Sequence, residues 1–243
     1  MSVEQLRARV REEGLIAPGG PLLAMYSGGR DSTCLLDVAV SLLGPERVRA
    51  LHVNYGLRAD AGGDEEHCRG LCEQLGVELH VHTATAGQPA QAGNLQAWAR
   101  EVRYREAGRL AAERGALFAT GHTASDQVET IVYRLAASPG RRALLGMPAR
   151  EGLLVRPLLC VTREQTADYC REAGHDRMRL MVVNDVRLSD RFYDEGINRI
   201  EAKTPEMYPV AQNFYRERAV TASERRGAER QQRRGRDLGH RAR

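Results

Sequence analysis

The stretch LLAMYSGGRDSTCLLDV, residues 22–38, decides the fold. It runs from an apolar segment through two glycines into hydroxyls and an acid, and then into a second apolar segment with Leu35, Val38 and Leu42 at helical spacing. A strand that ends at Tyr26 and a helix that begins near Asp31 leave Ser27, Gly28 and Gly29 as a strand-to-helix turn at the carboxyl edge of a sheet. Ligands bind at that edge in open α/β sheets. The two glycines let backbone approach a ligand closely, the N–H groups of the first helical turn lack partners, and the helix dipole favours negative charge. Together these features make a phosphate seat from residues 27–32, Ser27, Gly28, Gly29, Arg30, Asp31 and Ser32. The hydroxyls of Ser27, Ser32 and Thr33 add donors, whereas Asp31 repels phosphate unless it caps the helix or works through a bound Mg²⁺. The stretch is neither a Walker A loop, which ends in Gly-Lys-Ser or Gly-Lys-Thr, nor a GxGxxG turn.

Outward from this turn, short β-rich runs alternate with helical periodicity, the pattern of βαβ units. The predicted strands are PLLAMY at 21–26, RVRALHVN at 47–54, VELHVHTA at 77–84, ALFATGH at 116–122 and GLLVRPLL at 152–159. The fold class they imply is α/β, a doubly wound and mostly parallel sheet with a short C-terminal extension. Thr162 and Gln165 have the spacing of a capping box, and Gly174 is placed to end the helix they start. The expected organisation is an N-terminal helix over 1–20, a nucleotide-binding domain over 21–174, a small segment over 175–215 and a basic tail over 216–243.

The net charge of +4 has a local source. The tail carries ten arginines against four acids, which leaves 26 basic and 28 acidic residues in the rest of the 243-residue chain. The main domain is therefore no basic nucleic-acid clamp. The tail reads as disordered or as an exposed helix, either a phosphate-binding arm or a solvated terminus. Five scattered cysteines without a CxxC pair fit a reducing compartment, and no signal peptide or membrane-length apolar run is present. A cytoplasmic protein without a membrane partner is expected; oligomeric state is not legible.

The run SGGRDS at 27–32 resembles the signature of PP-loop ATP pyrophosphatases, of the adenine nucleotide α-hydrolase-like fold. HVNYGLR at 52–58, AREVRY at 99–104, ATGHTASDQVET at 119–130 and LVRPLLCVTREQT at 154–166 are similar in kind and order to the bacterial tRNA(Ile)-lysidine synthetases. The resemblance covers about residues 20–175. It implies ATP as co-substrate with Mg²⁺, free L-lysine, and tRNA(Ile) with a CAU anticodon. ATP adenylates the C2 carbonyl oxygen of the wobble cytidine, and the lysine ε-amine then displaces AMP. Asp31 and His122 are implied as catalytic, and Arg103, Asp126 and Glu129 as lysine-binding.

Those residues suit the steps on chemical grounds as well. Asp126 and Glu129 lie three apart at the start of a predicted helix, so both carboxylates share one face and can grip one cation. An amine with a pKa of about 10.4 must lose a proton before it attacks, and a carboxylate or His122 is placed to take it. The plainer readings are first-turn acids that suit the helix dipole, a strand-end histidine, and Arg103 as one more charge beside Arg100 and Arg105. His52 and Asn54 read either as nucleotide contacts or as core and turn polarity, and Trp98 reads as core. Phosphate contacts to RNA fall to arginines, among them Arg141 and Arg142.

Beyond His175 the resemblance weakens. Asn184, Asp190, Phe192 and the run Asn198, Arg199, Ile200 are kept, but Gly196, Ile197, Thr204 and Pro205 disturb the spacing. The competing readings are another PP-loop enzyme such as a tRNA thiolase, and a degenerate homologue that only binds ATP or tRNA. The missing CxxC pairs weigh against the former, and the intact acids against the latter.

Overall fold

A computed structural model describes residues 1–55, 61–84, 95–137 and 143–175. The segment over 176–215, the basic tail and the loop with Arg141 and Arg142 lie outside the described residues. The chain divides into two compact units. One is Met1–Glu129 with Gly146–Val182, and the other is Thr130–Leu145 with Val183–Arg243. Of the second, the described part is the last two turns of a helix and a short 3-10 turn, Ala143–Leu145.

The first unit is built from β1 (Leu22–Met25), β2 (Val48–Asn54), β3 (Glu78–Thr83), β4 (Leu117–Ala119), β5 (Arg150–Glu151) and β6 (Leu154–Val155). Its helices are α1 (Val3–Glu12), α2 (Arg30–Leu43), α3 (Ala61–Leu75), α4 (Leu95–Glu113), the first turns of α5 (Ala124–Ala137), and α6 (Arg163–Glu172). The strands form one sheet in the order β3-β2-β1-β4-β6-β5. All neighbours are parallel except the β5–β6 hairpin, and Leu22 of β1 stands beside Val48 on one side and Leu117 on the other.

Period-two alternation in β1 sorts its side chains onto the two faces. Leu22 and Ala24 join one core with Leu6 and Val10 of α1, Leu35 and Val38 of α2, Cys68 and Cys72 of α3, and Tyr169 of α6. Leu23 joins a second core with Leu51, Phe118 and Leu154 against Ala107, Leu110 and Ala111 of α4. Covered on both faces, the sheet is doubly wound, as the alternation of strand and helix signals implies.

Two local expectations are corrected. The run 152–159 is strand only at Leu154–Val155, after which Pro157 begins a 3-10 turn, Pro157–Cys160; a proline cannot donate to a ladder. Arg150–Glu151 supplies an unforeseen antiparallel strand that turns back at Gly152. The run 116–122 pairs only over Leu117–Ala119, and the rest is loop.

The α6 capping box forms as its spacing predicts. The Thr162 hydroxyl accepts from the Gln165 amide at 3.3 Å, and the Gln165 side chain accepts from the Thr162 amide at 2.9 Å. At the other end Gly174 adopts φ 78°, and the His175 amide donates to the Cys170 carbonyl at 2.8 Å, which closes the helix and swings His175 inward. His175 then pairs with Asp37 of α2. The same carboxylate accepts from Arg7 of α1 at 3.0 Å and from the Tyr169 hydroxyl at 3.2 Å, and Arg7 also donates to that hydroxyl at 3.0 Å. One acid thus ties three helices together. Burial alone raises the Asp37 carboxyl, but hydrogen bonds and charge from His175 and Arg7 outweigh it and hold the group below the usual carboxylate range.

A depressed carboxyl contributes stability that is present above its unfolded pKa and is lost as pH falls through its folded one. Asp37→Asn should therefore cost about 2 kcal/mol near neutrality, and the gap to the parent should narrow from about pH 5 to about pH 3. Urea unfolding across that range checks this; a gap that stays constant contradicts it.

Candidate active site

Strand order reverses between β1 and β4: the chain lays β2 and β3 to one side of β1 and places β4 on the other. The loops that leave β1 and β4 therefore open side by side at the carboxyl edge, the crevice where ligands bind in such sheets. Apart from His52 and Asn54 on β2, every described residue given a site role from sequence lies on these loops, on the helices they start, or on α4.

After β1 the backbone turns through Gly28 at φ 79°, a conformation that costs glycine nothing and is strained for side chains. A Cβ there would also lie 3.1 Å from the Cys68 thiol. Gly29 stands at the start of α2 with no side-chain cap, so Asp31 is not the helix cap. Ser32 braces the turn. Its hydroxyl donates to the Gly29 carbonyl at 2.8 Å and accepts from the Ser27 amide at 3.3 Å. The Ser27 amide is thus used internally, and the amides left without a side-chain cap are those at the start of α2, with the Ser27 hydroxyl 3.1 Å from that of Ser32.

The β4 loop closes on this turn. A Cβ added to Gly121 would stand 3.0 Å from the carbonyl carbon and oxygen of Asp31 and 3.1 Å from the Ser32 amide nitrogen. Backbone meets backbone there, and any side chain would push the facing turn back by a few tenths of an ångström. The next residues start α5. Thr123 and Asp126 cap one another: Asp126 Oδ2 accepts from the Thr123 amide and from its hydroxyl, both at 2.7 Å. The first-turn role that plain helix chemistry assigns to Asp126 is thus real, and it uses one oxygen. The other oxygen, Oδ1, accepts from Arg163 at 2.5 Å.

Arg163 opens α6, and sequence reading did not single it out. Its guanidinium lies 3.1 Å from Glu129 and 3.9 Å from Asp31 as well, so one cation faces three acids. Asp31 also accepts from the Thr166 hydroxyl and, at 3.3 Å, from Arg30. Burial works against ionisation of Asp126, yet the Thr123 hydrogen bonds and the Arg163 charge keep its carboxyl below its ordinary value. Arg163 and Thr166 both sit in the run TREQT, one turn apart on α6, and their spacing from the capping Thr162 was the available signal.

His122 is held differently. Its Nδ1 lies 2.7 Å from the Thr120 hydroxyl. Burial pushes its ring down to about 4; Asp126 pulls the other way, and the charges of Arg100, Arg156 and Arg103 depress it further. The ring is therefore neutral near pH 7. Arg156 is 4% exposed and donates to the Pro148 carbonyl at 2.6 Å. Arg103, on α4, has a buried Nε without a hydrogen-bond partner among the described residues, an unspent donor close enough to sense His122. The structure therefore gathers Asp31, His122, Asp126, Glu129 and Arg103 around one edge, with Arg163 and Arg156 as unforeseen members.

His52 is buried, and its Nδ1 meets the Tyr26 carbonyl at 3.1 Å, which makes that nitrogen the donor and the side chain part of the core. Asn54 donates to Glu65 at 3.3 Å. Trp98 is only half buried, edge-on to Tyr55 with ring centroids 5.9 Å apart, so it is less of a core residue than its helix pattern implies. Among the described residues no group of three metal-ligating side chains converges, and no helix is long and apolar enough to cross a membrane.

The chain is similar to proteins already known. A PP-loop domain model matches residues 6–179. The tRNA(Ile)-lysidine synthase of Bacteroides thetaiotaomicron is 34% identical over 187 residues, which cover 75% of this chain and 42% of that protein. The synthase of the same name from Thermus thermophilus is 39% identical over 177 residues, 72% of this chain and 34% of that one. The chain thus spans between a third and somewhat over two fifths of the length of these relatives. Among solved structures, the U34-tRNA thiolase NcsA from Methanococcus maripaludis superposes with a TM-score of 0.62 at 14% identity, over 88% of this chain and 78% of that one. The NH3-dependent NAD synthetase from Campylobacter jejuni gives 0.51 at 12% identity, over 90% and 94%. At these identities the two structures speak for the fold alone.

The ring of His122 should titrate with a midpoint near 4 in a histidine NMR titration, far below the ordinary value of about 6.5. A midpoint at the ordinary value would show that the ring is neither buried nor beside three arginines. Gly121→Ala should destabilise the fold by about 1–3 kcal/mol through the forced shift of the turn, and unfolding curves that match the parent would show that the contact is absent.

Proposed function

Since the chain belongs to the PP-loop domain family, we propose that it catalyses the tRNA(Ile)-lysidine synthase reaction. ATP binds with its phosphates at the uncapped amides at the start of α2, and Asp31 beside them would hold a Mg²⁺ that offsets the phosphate charge. The wobble cytidine of a tRNA(Ile) with a CAU anticodon attacks the α-phosphorus through its C2 carbonyl oxygen, and pyrophosphate leaves. The ε-amine of L-lysine then attacks C2, and AMP leaves. The helix start stabilises charge on the phosphates without reorganisation during the reaction, which is where most of the rate gain is expected.

The observation that carries this reading is the meeting of an uncapped helix start with a pair of acids, Asp126 and Glu129, that already close on a cation in the form of Arg163. A site of this kind takes a polyanion and an ammonium side by side. Arg103, with a donor to spare, suits the lysine carboxylate through a bidentate contact. His122, neutral at pH 7 with its ring pushed down to about 4, is too weak a base to strip the free ammonium and suits a hydrogen bond to the reacting amine, while Asp126, held ionised, supplies charge. A thiolase reading gains nothing from the site. All five cysteines are described and free, and four of them are buried in the core.

Incubation with bacterial tRNA, ATP and lysine followed by nucleoside digestion should show lysidine in place of cytidine, and unchanged cytidine refutes the reading. Asp31→Ala should lower AMP formation about 100-fold or more with tRNA retention kept. Glu129→Ala should raise the KM for lysine about tenfold with a smaller effect on AMP formation. Parent-like modification rates in both variants would show that the site is misassigned.

A further inference from the structure

Arg163 is a charge in the crevice that no step above employs, and it lies where the proposed function puts the lysine ammonium. Its guanidinium bridges Asp126 Oδ1 at 2.5 Å and Glu129 Oε1 at 3.1 Å, and its Nε already stands 3.9 Å from Asp31 at the start of α2. The backbone of Arg163 is fixed, because its amide donates to the Ser125 hydroxyl on α5 at 3.2 Å. The side chain is 28% exposed. The acids are partly exposed, at 23% for Asp126 and 33% for Glu129, with Glu129 Oε1 covered where it faces Arg163.

We propose that Arg163 is the resident cation of the lysine seat, and that the substrate ammonium must replace it there. This rests on the reading of Asp126 and Glu129 as the lysine seat. Two cations placed side by side between the same pair of carboxylates repel one another, so lysine enters fully only when the guanidinium leaves. The nearest place for it to go is toward Asp31 and the phosphate turn. A polyphosphate bound there draws a guanidinium strongly, through paired N–H donors in a fork that matches phosphate oxygens. Nucleotide binding thus uncovers the amino-acid seat, which makes ATP the first substrate to bind. In the empty protein Arg163 keeps three close acids compensated, so ambient cations gain little by entering. It acts as a positioning residue that decides when and by what the seat is filled.

The test is equilibrium binding of L-lysine to the full chain, with and without a non-hydrolysable ATP analogue and Mg²⁺, for the parent, Arg163→Gln and Arg163→Lys. A merely structural ion pair would make Arg163→Gln bind lysine more weakly. A resident cation makes it bind more tightly, by about three- to tenfold without nucleotide. The enhancement that nucleotide produces in the parent should shrink by the same factor, as linkage requires. Arg163→Lys, whose point charge cannot span three carboxylates, should fall between the two. Equal or weaker lysine binding by a folded Arg163→Gln overturns the proposal. If that variant does not fold, parent-like affinity and parent-like nucleotide enhancement in Arg163→Lys overturn it instead. The diamine 1,5-diaminopentane serves as a second probe. If it binds more tightly to the variant while lysine binds neither protein, the resident cation stands and the lysine assignment falls. If neither probe binds either protein, both fall.

Discussion

Everything in the crevice depends on the contact between Gly121 and the backbone of Asp31 and Ser32. Parallel pairing of β1 with β4 brings two strand ends to the same edge, but a pair of ordinary loops would leave them a side chain apart. The missing Cβ lets the second loop lie on the first, which sets the start of α5 beside the start of α2. Two helix N-termini then share one small space, and each brings its own charge. The start of α2 offers uncapped amides to an anion, and that of α5 offers acids to a cation.

Charge compensation follows from that crowding. Three acids at such close quarters need a counter-charge, and α6 supplies it at its first residue, Arg163. On the α4 side the balance is reversed: partial burial lowers the His122 ring, and the charges of Arg100, Arg156 and Arg103 lower it further, so it stays neutral. A site with an acidic half and a basic half, joined by a neutral imidazole, has the polarity needed to hold both ends of an amino acid next to a polyphosphate. The clamp at Asp37 fixes α1, α2 and α6 against one another, so that the helix with the phosphate turn and the helix with Arg163 keep their spacing.

Sequence reading reached the sheet, the glycine turn before α2 and the position of the two carboxylates at the start of α5 because each has a local signal: alternation in β1, a diglycine before a helix, and acids three apart. The capping box at Thr162 and Gln165 was equally local. What stayed hidden depends on distant partners. Arg163 looks like any first-turn arginine until Asp31, Asp126 and Glu129 arrive from two other helices. Asp37, an acid within the apolar run of α2, has its purpose set by Arg7, Tyr169 and His175, up to 138 residues away. The run 152–159 looked like one buried strand because apolar side chains continue through Pro157, whose effect on the ladder outweighs hydrophobicity. His52 could be placed in the core only once the Tyr26 carbonyl stood beside it.

The most direct measurement is a crystal structure with a non-hydrolysable ATP analogue and L-lysine bound together. Phosphate oxygens are expected against the amides at the start of α2, the lysine ammonium between Asp126 and Glu129, and the Arg163 guanidinium turned away toward the phosphates. A nucleotide lodged elsewhere, or an ammonium outside that acid pair, would contradict the assignment.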